Sequence, residues 1–250
     1  MTSPSTTFSD TFASIADVEG WMTEGQALRL WDRAAALRAG DKVVEIGSYQ
    51  GRSAIVLATA APEGVEVVAI DPHAGNDRGP QQIVGPAEDG QRDHEAFMTN
   101  LEQNGVRRRV HHVRRPSQEA NTDVEGDIDL LYIDGAHRYA PARSDIVGWG
   151  ARVAEGGTLL IHDSFSSVGV TGALATSLLA GGGFRYVGRV GSLAEYRKEP
   201  LTWPARVTNA ARQLAELPWF VRNVVIKALI VAKLGRLTRY LGHRQATWPY

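Results

Sequence analysis

Two aspartates and a histidine stand out as groups placed to do chemistry. Asp134 ends the apolar run Asp129–Asp134 (DLLYID), and Asp163 follows a second run, Thr158–Ile161, within His162-Asp163-Ser164. Each acid sits where a buried parallel strand hands over to a loop. Two carboxylates there, with the hydroxyl of Ser164, can hold a hard divalent cation such as Mg²⁺ through oxygen ligands. A substrate with adjacent hydroxyls would take the remaining positions, and chelation would lower a hydroxyl's pKa and orient it. His137 lies three residues past Asp134 in the same loop. An imidazole that titrates near neutrality can take the hydroxyl proton as general base.

A second constellation precedes these groups. Lys42–Ile46 is a β-branched run containing Glu45, and it leads through Gly47-Ser48-Tyr49-Gln50-Gly51 into a helix from Arg52 to about Ala60. The next apolar run, Val67–Ile70, ends in Asp71. This is the first β-α-β of a doubly wound sheet, whose ligand crevice lies at the carboxyl ends of its strands. Gly47 and Gly51 are spaced G-x-x-x-G, whereas a dinucleotide fingerprint is G-x-G-x-x-G. A pyrophosphate needs backbone pressed against it at a helix N-terminus. A cofactor without phosphates needs a tight turn and room for its chain. Asp71 is placed to accept hydrogen bonds from ribose hydroxyls, and Glu45 would repel a pyrophosphate and attract a cationic amino acid. The turn, with Gly47, Ser48, Tyr49, Gly51 and Ser53, reads as an S-adenosylmethionine (SAM) site; a nicotinamide dehydrogenase is disfavoured.

The stretch from Lys42 to Ser53 resembles motif I of class I SAM-dependent methyltransferases, and Asp71 resembles the acid of their motif II. Over about residues 15–200, IDGAHRY followed by GG-x-LLIHD resembles the macrocin-type sugar O-methyltransferases, related in layout to the metal-dependent catechol O-methyltransferases. That resemblance implies a seven-stranded Rossmann-like sheet with its last strand antiparallel. It makes Glu45, Gly47, Ser48, Asp71 and Ser117 cofactor contacts, with Gln118 beside the adenine and Asp134 touching both cofactor and metal. It makes Asp134 and Asp163 the metal ligands and His137 the base. His73, just beyond Asp71, faces the same crevice and is a second candidate base. Where the catechol-type enzymes place Asn, this chain has Ser164. Either Ser164 coordinates, or Asp77, Glu88 or Asp89 supplies the third ligand.

The elements that must position these groups follow from periodicity. Val18–Ala39 carries apolar residues at helical spacing, and Gly40 stops it. Ile15–Met22 resembles the segment that folds over the cofactor in related methyltransferases, which implies that role; the alternative leaves Trp21 as a core aromatic. Residues 72–90 are rich in Gly, Pro and Asp, as expected of a binding loop. A helix is expected over Asp93–Asn104 and a strand over Arg109–Arg114, in which His111 and His112 read as structural. Further helices are expected over Pro141–Val153 and about Val168–Leu179. A hairpin, Phe184–Val190 and Leu193–Arg197, closes the sheet.

The chain has 250 residues, 43% hydrophobic, with no cysteine, which excludes disulfides and thiolate metal sites. Residues 1–14 are expected to be a disordered N-terminus, without the charged start and apolar core of a signal peptide. Residues 1–200 hold 19 Lys/Arg against 27 Asp/Glu, a net −8, whereas 201–250 hold 8 against 1, a net +7. The five arginines between 107 and 115 lack aromatic interleaving and read as solvated edges, not a nucleic-acid surface. The basic helical extension 201–250 is too interrupted to span a bilayer. Its segment 205–241 is a candidate for an anionic membrane surface, for packing on its own domain, or for a homodimer contact. The location expected is cytoplasmic, with the inner membrane face as the alternative. The reading is an O-methyltransferase acting on a sugar hydroxyl of a saccharide, polysaccharide precursor or glycosylated metabolite. The alternatives are a catechol or phenol acceptor and a non-catalytic SAM-binding, membrane-tethered partner protein.

Overall fold

Strand β1 (Lys42–Ile46) buries every residue but its first, and β2 (Glu66–Ile70) does the same. Strands buried on both faces read as near-continuous apolar runs, which is how parallel central strands differ from half-exposed ones. The two pair in parallel from Lys42↔Glu66 to Ile46↔Ile70, joined by helix α3 (Arg52–Ala60). The computed structural model that shows this describes residues 6–75 and 86–244.

Strands β3 (Val110–Val113), β4 (Ile128–Ile133), β5 (Val153–Ile161), β6 (Phe184–Val190) and β7 (Leu193–Lys198) complete one sheet, in the order β3-β2-β1-β4-β5-β7-β6. β7 alone runs opposite to the other six strands. The doubly wound, seven-stranded sheet expected from the sequence is therefore present. Its chain order reverses between β1 and β4, the switch point at which such sheets open a crevice.

Alternation along each strand sends neighbours to opposite faces. Val44, Ile46, Ile70, Ile133 and Ile161 pack with α5 (Tyr139–Gly150) and α6 (Val168–Ser177) in one core. Val43, Val67, Ala69, Leu130 and Leu160 pack with α2 (Glu24–Ala35), α3 and α4 (Ala87–Gln103) in the other.

Three expectations need correction. Residues 8–14 are not disordered: they form helix α1 (Phe8–Ser14), closed by a Thr7–Asp10 capping box, with Phe8 and Phe12 against the core. Helix α2 starts at Glu24 rather than Val18, because Thr23 and Gln26 form a capping box there. Helix α4 starts at Ala87, six residues before the expected Asp93, so Glu88 and Asp89 belong to its first turn. Asp77 lies outside the described residues. The basic extension forms α7 (Trp203–Leu214) and α8 (Leu217–Val231) and packs on its own domain. Trp219 and Phe220 join the core, Asn223 and Ile226 are fully buried, and Glu216 accepts from Tyr186 and Arg189. Among the described residues no helix is long and apolar enough to cross a membrane.

Candidate active site

The turn after β1 is pressed against the loop after β4. Gly47 has φ +88°, and a Cβ there would lie 2.2 Å from the carbonyl oxygen of Asp134. Only glycine fits both the left-handed backbone and the close approach. Beyond it the backbone N–H of Tyr49 donates to Asp71 Oδ2 at 2.9 Å, and that of His73 to Oδ1 at 2.7 Å. These bonds aim the carboxylate of Asp71 at the end of β2. Tyr49, His73, Asp163 and Phe165 are all non-glycine residues with positive φ (46°, 45°, 55° and 54°). Such strain concentrates where a surrounding fold over-determines a site.

Tyr49, Asp71 and His73 line a cavity of about 1300 Å³ together with Gly47, Ser48, Ser53, Ser117, Gln118, Asp134, His137 and Asp163. Glu19–Met22 form one wall. Trp21 is 53% exposed and stacks on Tyr49, with centroids 5.7 Å apart, so it is not a core aromatic. At the other side Ser117 Oγ and Gln118 Nε2 donate to Asp145 Oδ1 at 2.6 and 3.1 Å. Burial pushes Asp145 up to about 6, against those two hydrogen bonds. Asp145 was not singled out in the sequence. Its signal was an acid on the buried stripe of α5, between Ala142 and Ile146–Trp149.

At the ends of β4 and β5 the acids converge. Asp134 Oδ2 accepts from Tyr132 at 2.9 Å, and Asp134 Oδ1 lies 3.2 Å from His162 Nδ1. The same nitrogen is 3.6 Å from Asp163 Oδ2, which also meets His137 Nε2 at 2.8 Å. Asp134, His162 and Asp163 each offer a ligand atom within 4.8 Å of the others. Asp163 Oδ1 is buried with no hydrogen-bond partner. Burial disfavours the charged forms of His162, His137 and Asp163 but is outweighed by their opposite charges: His162 is raised to about 10 by Asp134 and Asp163. His137 is raised by Asp163, and Asp163 is held well below the usual carboxylate range by His137 and His162. The two carboxylates attract positive charge to this spot, and with His162 releasing its proton on binding, two carboxylates and one imidazole fit a divalent cation.

Several expected residues play other parts. Ser164 is fully buried, off the cavity wall, with its hydroxyl donating to Ile161 O at 2.8 Å. The left-handed backbone at Asp163 and Phe165 turns it inward, and it is a His162 nitrogen that lies with the two carboxylates. Glu88 and Asp89 do not line the cavity. Glu45 lies beneath the turn, fully buried and hydrogen-bonded by Ser53. Burial, with Asp134 and Asp71 nearby, pushes Glu45 up to about 8, so it offers the cavity no anionic contact at neutral pH. Gly51 is also off the wall: at φ +92° it caps α3 and packs on Phe97. His73 is nearly fully buried, with Nε2 bonded to Tyr49 O at 2.8 Å, so it is not disposed as a base. His137, by contrast, has a side chain 36% exposed. Finally, α8 supplies Val224, Lys227, Ala228 and Val231 to the cavity wall, and Lys227 Nζ is tied to Ser166 O at 3.0 Å.

Comparison with known proteins agrees with this layout. The fold is similar to that of cofactor-bound Rv0187 from MTB, at 20% identity over 80% of this chain and 92% of that one, TM-score 0.53. It is similar to the O-methyltransferase TomG from Streptomyces achromogenes in complex with SAM, at 16% identity over 80% and 92%, TM-score 0.51. It is also similar to an O-methyltransferase from Bacillus cereus in complex with SAH, at 16% identity over 79% and 93%, TM-score 0.53. Residues 44–164 match the family model described as a methyltransferase domain. That span runs from β1 through Asp71, Asp134 and His137 to Asp163, the segment that builds the crevice.

Proposed function

We propose that the protein is a SAM-dependent O-methyltransferase acting on a sugar hydroxyl, with His137 as general base and a divalent cation held beside it. The observation that carries this reading is the cluster Asp134, His162, Asp163 and His137 on the wall of the cavity that also holds Asp71. The cofactor supplies an electrophilic methyl group. The chain contributes the pre-aimed carboxylate of Asp71 for the ribose, with Ser48, Tyr49, Ser117 and Gln118 along the same cavity. Transfer to oxygen needs an in-line acceptor and removal of its proton, so positioning supplies much of the rate. His137 Nε2 faces Asp163, which leaves Nδ1 to receive the acceptor's proton and stabilises the imidazolium that results. Asp134, Asp163 through Oδ1, and His162 would hold the cation, which when bound supplies Lewis-acid polarisation of an acceptor oxygen. An imidazole among the ligands suits Mn²⁺ or Fe²⁺ as well as Mg²⁺.

A cavity of about 1300 Å³ exceeds the usual range for one small ligand. Cofactor and acceptor would share this space, and a saccharide-sized acceptor has room there. Val224, Ala228 and Val231 of α8 give one wall an apolar character suited to a glycosylated metabolite with an apolar portion. For the outer face of the extension, where Trp203, Val207 and Val221 are exposed, contact with an anionic membrane surface is retained as part of the proposal; vesicle co-sedimentation tests it.

Calorimetry with S-adenosylhomocysteine (SAH) tests the cofactor assignment: Asp71→Ala should weaken binding by about 1–3 kcal/mol, the cost of unpairing buried polar groups. Methyl transfer from labelled SAM to oligosaccharides and to phenols, with and without EDTA, tests acceptor and metal. Unchanged SAH affinity in Asp71→Ala refutes the site; full turnover in EDTA refutes the cation.

A further inference from the structure

A second cluster of imidazoles lies across the sheet from the acids, with β1 between. His73 follows β2, His94 lies on α4 and His112 on β3. One ring nitrogen of each lies within 4.8 Å of the other two, and the ring centroids are 5.0–5.2 Å apart. Phe97 closes one side, 4.7 Å from His112 and 5.4 Å from His73. Three nitrogens, His73 Nδ1, His94 Nδ1 and His112 Nε2, are buried without a hydrogen-bond partner. Natural folds rarely leave such atoms unpaired.

The other nitrogens explain why these are bare. His73 Nε2 meets the Tyr49 carbonyl at 2.8 Å, so Nε2 carries the proton and Nδ1 a free lone pair. His112 is hydrogen-bonded to the backbone of Asp71, which places its proton on Nδ1 and leaves Nε2 free. Anchoring one nitrogen on a backbone carbonyl while the other stays open is how proteins prepare histidine for a metal. Burial also lowers His94 and takes His112 down to about 3, so both are neutral at physiological pH. The packing is close: a Cβ at Gly90 of α4 would lie 2.0 Å from the carbonyl oxygen of His73.

We propose that His73, His94 and His112 form a second metal site, taking Zn²⁺ or a similar borderline transition ion and clamping the end of β2 to α4 and β3. Three imidazoles suit such an ion and offer little to Mg²⁺, and the Asp71 carboxylate stands beside them, its Oδ1 3.9 Å from His73 Nδ1. Zn–N bonds of about 2.0–2.1 Å require the rings to close by about 1 Å. Because His73 shares its loop with Asp71, the ion would steady the carboxylate assigned to the ribose without touching the reacting atoms.

The test uses the full chain, freed of metal with a chelator and titrated with Zn²⁺ or Co²⁺. The Asp134→Asn variant weakens the acid cluster and spares the histidines. Wild type and Asp134→Asn should both gain thermal stability with equimolar Zn²⁺, and Co²⁺ should show the visible absorption of a low-coordinate site. His94 is half-buried on its helix, so His94→Gln should fold. It should lose at least the ~10–100-fold in Zn²⁺ affinity that disturbing a ligand's partner already costs. Equal Zn²⁺ affinity in His94→Gln, or loss of Zn²⁺ binding in Asp134→Asn, overturns the proposal and leaves a packed histidine cluster only. Because His162 and Asp163 remain in Asp134→Asn, the loss of Zn²⁺ affinity in His94→Gln, or in His112→Asn should His94→Gln prove unstable, is what assigns the ion to the histidines.

Discussion

Gly47→Ala adds one methyl group where the loops after β1 and β4 meet. The new Cβ would lie 2.2 Å from Asp134 O, 2.6 Å from Asp134 C and 2.9 Å from Gly135 Cα. All three are backbone atoms, so no side chain can swing aside. Forcing an L-residue into the left-handed region at φ +88° costs about 1–2 kcal/mol. Pushing packed groups apart adds about 1–3 kcal/mol. The total is about 2–5 kcal/mol, and for a domain of this size each kcal/mol shifts Tm by roughly 2–4 °C. Tm should therefore fall by roughly 4–20 °C. The displaced loops carry Tyr49, Asp134 and His137, so SAH affinity should fall in the protein that remains folded. Thermal denaturation followed by circular dichroism, with calorimetry below the transition, measures both. A variant with wild-type Tm and wild-type SAH affinity would refute the claim that this contact shapes the crevice.

Replacing His137 by Gln keeps a polar shape but removes the titrating nitrogen, and turnover should fall about 10²–10⁴-fold with SAH affinity retained. Burial lowers His137 and Asp163 more than compensates, so the wild-type rate should rise with pH through an apparent pKa above histidine's ordinary value. His137→Gln should lack that limb; a weakened acceptor KM with normal kcat would instead make His137 a substrate contact. Asp145, raised by burial to about 6, binds its proton more tightly folded than unfolded. Its protonation therefore adds stability that is full below about pH 4 and lost as pH rises through about 6. Asp145→Asn should raise unfolding free energy at pH 7 by about 1–3 kcal/mol and leave it little changed at pH 4; equal gains at both pH values would exclude the charge as the cause. On α8, Ala228→Trp should raise the acceptor KM while sparing SAH binding, and loss of both would mean that α8 holds the whole cavity rather than its acceptor side.

Much of the architecture was legible because it is encoded locally. The buried runs of β1, β2 and β4, the turn at Gly47 and the acids at strand ends each depend on a few neighbouring residues and on strand periodicity. Asp71, Asp134, His137 and Asp163 could thus be placed on one crevice, since every parallel strand delivers its carboxyl end to the same side. The N-terminal helix escaped notice because its Ser/Thr-rich start resembles disorder, while Phe8 and Phe12 find their partners in residues far along the chain. What a side chain does within the crevice was decided only by tertiary structure. Left-handed backbone at Asp163 and Phe165 turns Ser164 inward and brings His162 between the two acids, a reversal that strand alternation does not announce. Glu45 loses its charge, and His73 its role as base, through burial created by other elements. The three histidines meet only because β2, β3 and α4 pack together, and α8 reaches the cavity from more than fifty residues beyond Asp163. Local pattern can determine strands, turns and the side of the sheet on which acids emerge; burial, protonation and convergence depend on contacts between distant segments.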